Sequence, residues 1–244
     1  MSEGRNPNAG HRRRLRERFK KGGLRALHDY EVLELLLTYA IPRRDVKPLA
    51  KELIRRFKGF RGVLDAPIDE LAAVRGMGEN AALLATLVKE CCALYLYDKV
   101  MGSTCVGTPK DLVDYLSVRL AGERNEKFLA VYLNTKNEII EVETLHEGTL
   151  NETAVYPRTV VERAFKHNAR SVIFVHNHPS GDPAPSRNDK LLTRSLERAA
   201  EGVGLAVLDH IIIGRNSFRS GKSEGWVGRR ADPERRIAGV GEEE

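Results

Sequence analysis

Cysteine is scarce in this chain of 244 residues: Cys91, Cys92 and Cys105 are the only three. They form neither a CxxC pair nor an even set, which argues against a disulfide framework and reads as reduced thiols in a cytoplasmic protein. Long apolar runs are missing as well. The longest, "AALLATLV", falls far short of the ~20 residues a membrane span requires, so no membrane partner is expected. The N-terminus is basic, but no apolar stretch of signal-peptide type follows it, and secretion is not expected. With 41% hydrophobic and 30% charged residues, the chain has the apolar mass of an ordinary globular core.

The charge is unevenly spread. Residues 1–100 hold 20 Lys/Arg against 13 Asp/Glu, a net of +7, and residues 101–244 hold 20 against 21, a net of −1. The excess peaks in "HRRRLRERFKK" (11–21), with eight basic residues, His11 included, and one acid. Such a segment is either a solvated amphipathic helix or a surface for an anionic partner, DNA being the obvious one.

Residues 1–98 read as a helical domain. "DYEVLELLLTYAI" carries Val32, Leu35, Leu36 and Tyr39 at helical spacing, with Asp29 expected as its N-cap and Pro42 as its stop. "VKPLAKELIRRF" repeats the pattern up to Gly59, and a Gly76-Met77-Gly78 turn joins a short helix to a long one. Residues 99–108 read as a linker. From 109 to 228 helices and strands alternate, which predicts an α/β domain: a helix from Pro109, strands in "KFLAVYLN" and "NEIIEVETLHEG" joined as a hairpin, a helix in "PRTVVERAFKHN", a buried strand in "RSVIFVHNH", a further helix, and one or two closing strands. Residues 229–244 form a charged tail with little apolar content, expected to be loose.

One stretch stands apart, "HNHPSGDPAPSRND" (176–189). Alternation along a strand sets His176 and His178 on one face, and Pro179 ends the strand beneath them. Asp189 follows a turn-rich loop, near the start of the next helix. Two imidazoles and one carboxylate leave a fourth tetrahedral position open, the layout of a catalytic zinc site, and the ligand types suit Zn2+ better than Mg2+ or Ca2+. Ser186 and Asp189 also have the spacing of a helix capping box, which is compatible with the metal reading.

The string resembles the JAMM signature of the MPN-plus metalloproteases. In its HNHPSGDPxPSxxD form, behind a helical domain, the chain is similar to the RadC family. The resemblance implies an α-β-α domain of JAB/MPN type, with His176, His178 and Asp189 as zinc ligands and Ser186 as the hydroxyl that steadies a tetrahedral intermediate. It implies hydrolysis of a peptide or isopeptide bond, and a glutamate base on an early strand, outside the motif. Glu126, just ahead of "KFLAVYL", is the preferred candidate by that position. Glu138, Glu141 and Glu143 are rivals, but their alternation with Ile140 and Val142 puts them on an exposed strand face, and Glu162 falls in a helix. Thr159, in "YPRT", stands where relatives often carry an acid.

"LAAVRGMGENAALLATLVKE" resembles the helix-hairpin-helix motif, in which a GxG turn offers backbone N–H groups to a DNA phosphate; Gly76 and Gly78 would be its glycines. Glu79 directly follows them, and Asn80 stands where DNA-binding examples often carry lysine. Three functions follow: a zinc-dependent hydrolase, a DNA-binding repair or recombination accessory, and a zinc phosphodiesterase acting on nucleic acid. The substrate and the oligomeric state are not encoded in any motif.

Overall fold

The computed structural model describes residues 9–105, 110–148 and 155–228. Pro109, part of the expected linker and the tail 229–244 lie outside them. The chain divides into two compact units, residues 1–94 and 95–244.

The first unit is helical: α1 (Ala9–Gly22), α2 (Asp29–Ala40), α3 (Lys47–Phe57), α4 (Phe60–Asp65), α5 (Ile68–Ala72) and the front of α6 (Gly78–Val100). Its core gathers Leu33, Leu37, Val46, Leu53, Val63, Leu71 and Met77. Two details depart from the periodicity reading. The residue leaving extended backbone ahead of α2 is His28, so His28 is the cap and Asp29 the first helical residue. The Glu31 carboxylate takes the His28 N–H at 3.0 Å, while Arg18 of α1 donates to both of its oxygens at 2.7 and 2.9 Å. The α2 face also shifts. Leu33 and Leu37 are buried in the core of this unit and Tyr39 is exposed, while α1 covers another side of the helix through the Arg18–Glu31 and His11–Glu34 pairs.

The second unit starts within α6 and continues through α7 (Lys110–Arg119), β1 (Lys127–Leu133), β2 (Ile139–Glu147), α8 (Pro157–Lys166), β3 (Ser171–Asn177), α9 (Arg187–Gly202), β4 (Ala206–Ile213) and β5 (Phe218–Ser220). One mixed sheet runs in the order β2-β1-β3-β4-β5, antiparallel except for β3 and β4. That parallel pair requires a crossover, supplied by α9. On one face Leu112, Tyr115 and Leu116 of α7 pack on Leu129, Val131, Ile173, Val175 and Ile211. On the other, Val160 and Ala164 of α8 and Leu192, Leu196 and Ala200 of α9 pack on Phe128, Ala130, Tyr132, Val172 and Phe174. The unit is a three-layer α-β-α domain. β1 and β3 are covered on both faces, so they read as continuous apolar runs rather than alternating ones.

The described part of the linker region is not free chain. Gly102 N–H donates to the Ile139 carbonyl at 2.9 Å and Cys105 N–H to the Asn137 carbonyl at 2.7 Å, tying this segment to the start of β2. Cys105 is buried, and burial pushes its thiol up to about 11, whereas Cys91 and Cys92 are exposed. Among the described residues no helix is long and apolar enough to cross a membrane.

Candidate metal centre

The strand period puts Val172, Phe174 and His176 on the α9 face of β3, and His178 follows on the same side. His178 N–H donates to the Ile213 carbonyl at 3.0 Å, prolonging the pairing with β4 by one step before Pro179 ends it. The loop then folds back. Gly181 N–H donates to the His178 carbonyl at 2.9 Å, and the Asp182 carbonyl lies 2.7 Å from His178 Nδ1. A carbonyl can only accept, so Nδ1 carries the proton and Nε2 presents its lone pair inward.

Asp189 enters from α9. Ser186 is the N-cap: its hydroxyl oxygen accepts Asp189 N–H at 3.0 Å, and an Asp189 carboxylate oxygen, Oδ2, accepts Ser186 N–H at 2.7 Å. The capping box therefore exists, and it aims the carboxylate. Asp189 Oδ1 lies 3.2 Å from His176 Nε2, Asp189 Oδ2 lies 3.4 Å from His178 Nε2, and the two Nε2 atoms are 2.9 Å apart. Zinc bonds of about 2.0–2.1 Å place tetrahedral ligand atoms about 3.3–3.4 Å from one another. The two imidazole–carboxylate separations, each to a different oxygen of Asp189, fall near that spacing, and the imidazole–imidazole separation is shorter. One ligand atom from each residue lies within 4.8 Å of the other two, so the donor set fits zinc in chemistry and gathers at one point. It is the one such cluster of metal-ligating groups among the described residues.

Electrostatics follow from burial and pairing. His176 is fully buried, and loss of solvent lowers its pKa. His178, at the rim, is raised, chiefly because its protonated ring would donate a hydrogen bond to Asp189. Burial alone would raise the Asp189 carboxyl, but His176, His178 and Ser186 outweigh it and hold the group ionised well below the usual carboxylate range.

Glu126 immediately precedes β1 and is half-buried. β1 pairs with β3 such that Phe128 faces His176, and continuing that register by two residues sets Glu126 across from His178. Its negative charge favours protonation of both His176 and His178. The rival glutamates are placed differently from the expected exposed face. Glu143 lies opposite Ala130, with His167 Nε2 3.2 Å away and Arg163 and Lys166 of α8 nearby; Glu138 accepts from Asn134 at 2.7 Å; Glu141 lies beside Tyr97. All three are half-buried: Tyr97 lies beside Glu141, α8 beside Glu143, and Asn134 beside Glu138 in the turn before β2. Glu162 is exposed on α8.

The sequence reading missed His210. This fully buried residue on β4 pairs with Phe174, and its Nε2 lies 2.8 Å from His176 Nδ1. Its Nδ1 lies 2.6 Å from Thr193 Oγ1 on α9, and Phe128, Phe174 and Trp226 surround the ring. The available signal was a histidine inside the apolar strand "LAVLDHIIIG".

Gly76 and Gly78 belong to the helical unit. Both have positive φ, 96° and 68°, and Met77 between them is buried in the core. The Gly76 carbonyl accepts from the Arg44 guanidinium, and α6 begins at Gly78.

Comparison with known proteins agrees with this architecture. Residues 106–226 match the RadC-like JAB domain, and residues 8–83 match the UPF0758 N-terminal domain. A UPF0758 protein of Ruegeria pomeroyi is 42% identical over 217 residues, 89% of this chain and 97% of that protein. A UPF0758 protein of Fusobacterium nucleatum is 38% identical over 227 residues, 90% of this chain and 98% of its own length. Helical front, JAB-type sheet domain and matches along nearly the full length together place the chain in the UPF0758 family of RadC-like proteins.

Proposed function

We propose that the chain is a zinc-dependent hydrolase of JAMM type, cleaving an amide or isopeptide bond. The observation that carries this reading is the convergence of His176 Nε2, His178 Nε2 and an Asp189 carboxylate oxygen within 4.8 Å of one another, with His178 at a partly open rim. His176, His178 and Asp189 would hold the ion. Bound there, zinc supplies Lewis acidity and water acidified toward neutral pH.

The chain's own residues do the rest. Glu126, set across from His178, takes a proton from the attacking water and returns it to the leaving amine. Ser186 is exposed at the head of α9. Its oxygen accepts from Asp189 N–H, which leaves its own proton free to donate to the oxyanion of the tetrahedral intermediate. The same Asp189 carboxylate that serves as ligand is held by the cap, so ligand and oxyanion donor move as one piece.

Elemental analysis tests the metal: about one zinc per wild-type chain is expected, and none in His178→Ala. Equal zinc in both proteins overturns the ligand assignment. Zinc-loaded protein assayed on peptide, isopeptide and branched-DNA substrates then separates amide hydrolysis from phosphodiester hydrolysis. The ligand set favours the former, since it provides for one ion and two-metal nucleases need a second carboxylate cluster.

A DNA contact is a second, compatible reading. Arg13, Arg14 and Arg16 are exposed on α1, in the half that carries the positive charge and the Gly76–Gly78 turn.

A further inference from the structure

We propose that Thr193 and His210 are positioning residues that fix the protonation pattern of His176, so that its Nε2 always faces the metal position as a lone pair. The inference rests on the metal-centre reading above and extends it to two residues outside the ligand set. It follows from the polarity of a single hydrogen-bond chain.

The chain starts at an atom with no choice. Thr193 Oγ1 lies 2.6 Å from the main-chain carbonyl of Asp189, four residues earlier on α9. A carbonyl only accepts, so the Thr193 hydroxyl proton is committed to it. The hydroxyl oxygen is left as an acceptor toward His210 Nδ1, 2.6 Å away, and His210 must carry its proton on Nδ1. His210 is fully buried among Phe128, Phe174 and Trp226, and its two ring nitrogens meet uncharged partners, a hydroxyl and an imidazole, so a single N–H serves it. Its Nε2 is therefore an acceptor, 2.8 Å from His176 Nδ1, and His176 must donate from that nitrogen. His176 Nε2 remains as the atom facing His178 and Asp189.

Reversing the chain would set the lone pairs of the Thr193 hydroxyl against the Asp189 carbonyl oxygen at 2.6 Å. One ligand's backbone thus dictates the protonation of another ligand's ring. Metal-bound histidines commonly donate their second nitrogen to a carboxylate or carbonyl. Here a neutral imidazole takes that place, and a neutral imidazole could equally donate. Thr193 removes that ambiguity.

The full-length protein carries the test. Thr193→Val keeps the shape of the side chain and removes the acceptor, so either His210 form is left with an unmet Nδ1. Zinc affinity, measured by competition with a chromophoric chelator, is expected to fall about 10- to 100-fold in Thr193→Val, the usual effect of losing such a supporting partner. Thr193→Ser, which retains the hydroxyl, is expected to restore it. Equal affinity of the Val variant and wild type overturns the proposal, since a packing role alone predicts that result. An independent readout needs no metal: long-range proton–nitrogen correlation spectra of metal-free wild type should show His210 protonated at Nδ1 and bare at Nε2. His210 protonated at Nε2 overturns the proposal whatever the variants do. Wild type that shows the expected ring pattern but takes up no zinc upholds the hydrogen-bond chain and refutes the metal reading instead.

Discussion

Replacing Glu126 with Gln keeps the size of the side chain and removes its capacity to take a proton. If Glu126 is the base, the Gln variant retains its zinc and its fold but loses hydrolysis by ~10²–10⁴-fold, the usual worth of a positioned acid–base group. Glu143→Gln is the control. Glu143 is opposite Ala130 and engaged with His167, Arg163 and Lys166, two strand positions from the Phe128–His176 pair. It should change stability slightly and turnover hardly at all. Turnover surviving in Glu126→Gln but lost in Glu143→Gln would move the base to β2. Strand alternation decides some of these placements and not others. It set His176 and His178 on one side correctly, because that depends only on strand geometry. It misjudged Glu138, Glu141 and Glu143, because their exposure depends on neighbours outside the strand, Asn134 in the turn, Tyr97 and α8.

The turn between β4 and β5 and the loop after His178 meet at a place with room only for glycine. A Cβ on Gly214 would lie 2.5 Å from the Gly181 carbonyl oxygen and 2.8 Å from Pro183 Cδ, while Arg215 N–H bonds that same carbonyl at 3.0 Å. Gly214→Ala must push the loop away, and the loop supplies the Asp182 carbonyl that orients His178. The expected result is a loss of about 1–3 kcal/mol, typical of overpacking, together with weaker zinc binding. Thermal melts and chelator competition would measure the two effects, and unchanged values in both would show the packing there to be slack. In the helical unit, Glu31 caps α2 and pairs with Arg18. Burial opposes its ionisation, but Arg18 and the His28 N–H prevail and hold its pKa below the ordinary 4.5. The folded state therefore binds its proton less readily than the unfolded chain. Its stabilisation is complete above about pH 4.5 and lost as pH falls through the lowered value. Glu31→Gln should cost about 1 kcal/mol at pH 7, the typical worth of a cap, with the gap narrowing as pH falls below 4.5; a gap that does not narrow in acid would assign the loss to packing. Elements whose pattern is local were legible in the sequence: the hairpin, the strand ending at Pro179, the Ser186 cap that aims Asp189. His210 was not. Its role arises from the parallel pairing of β3 with β4 across the α9 crossover, which brings together residues 34 positions apart. A single histidine in an apolar strand does not announce which neighbour it will meet.

Across the whole molecule the charge is uneven, with a net of +7 for residues 1–100 and −1 for residues 101–244. The candidate metal ligands His176, His178 and Asp189 all lie in the sheet unit, and the exposed Arg13, Arg14 and Arg16 lie on α1 in the helical one. Arg12 is less available to a ligand, since its guanidinium donates to the carbonyls of Ile41, Pro42 and Arg44. Arg18 is likewise held by Glu31. Of the seven Lys/Arg of the segment this leaves Arg13, Arg14, Arg16, Lys20 and Lys21 exposed; Lys20 pairs with Glu17, and the proposed DNA interface is tested on the three arginines. If they meet phosphates, binding of the full-length protein to duplex DNA should weaken steeply with salt, because each neutralised phosphate releases counterions. Substituting all three with Gln should then reduce the slope of log affinity against log salt by roughly 0.9 for each phosphate no longer neutralised. Zinc content should stay unchanged in that variant, and stripping the metal from wild type should leave the slope as it was. A triple variant that binds DNA with the wild-type slope would remove these three arginines from the interface. Binding that disappears on metal removal would instead place the DNA site in the sheet unit and favour a nucleic-acid substrate over an amide.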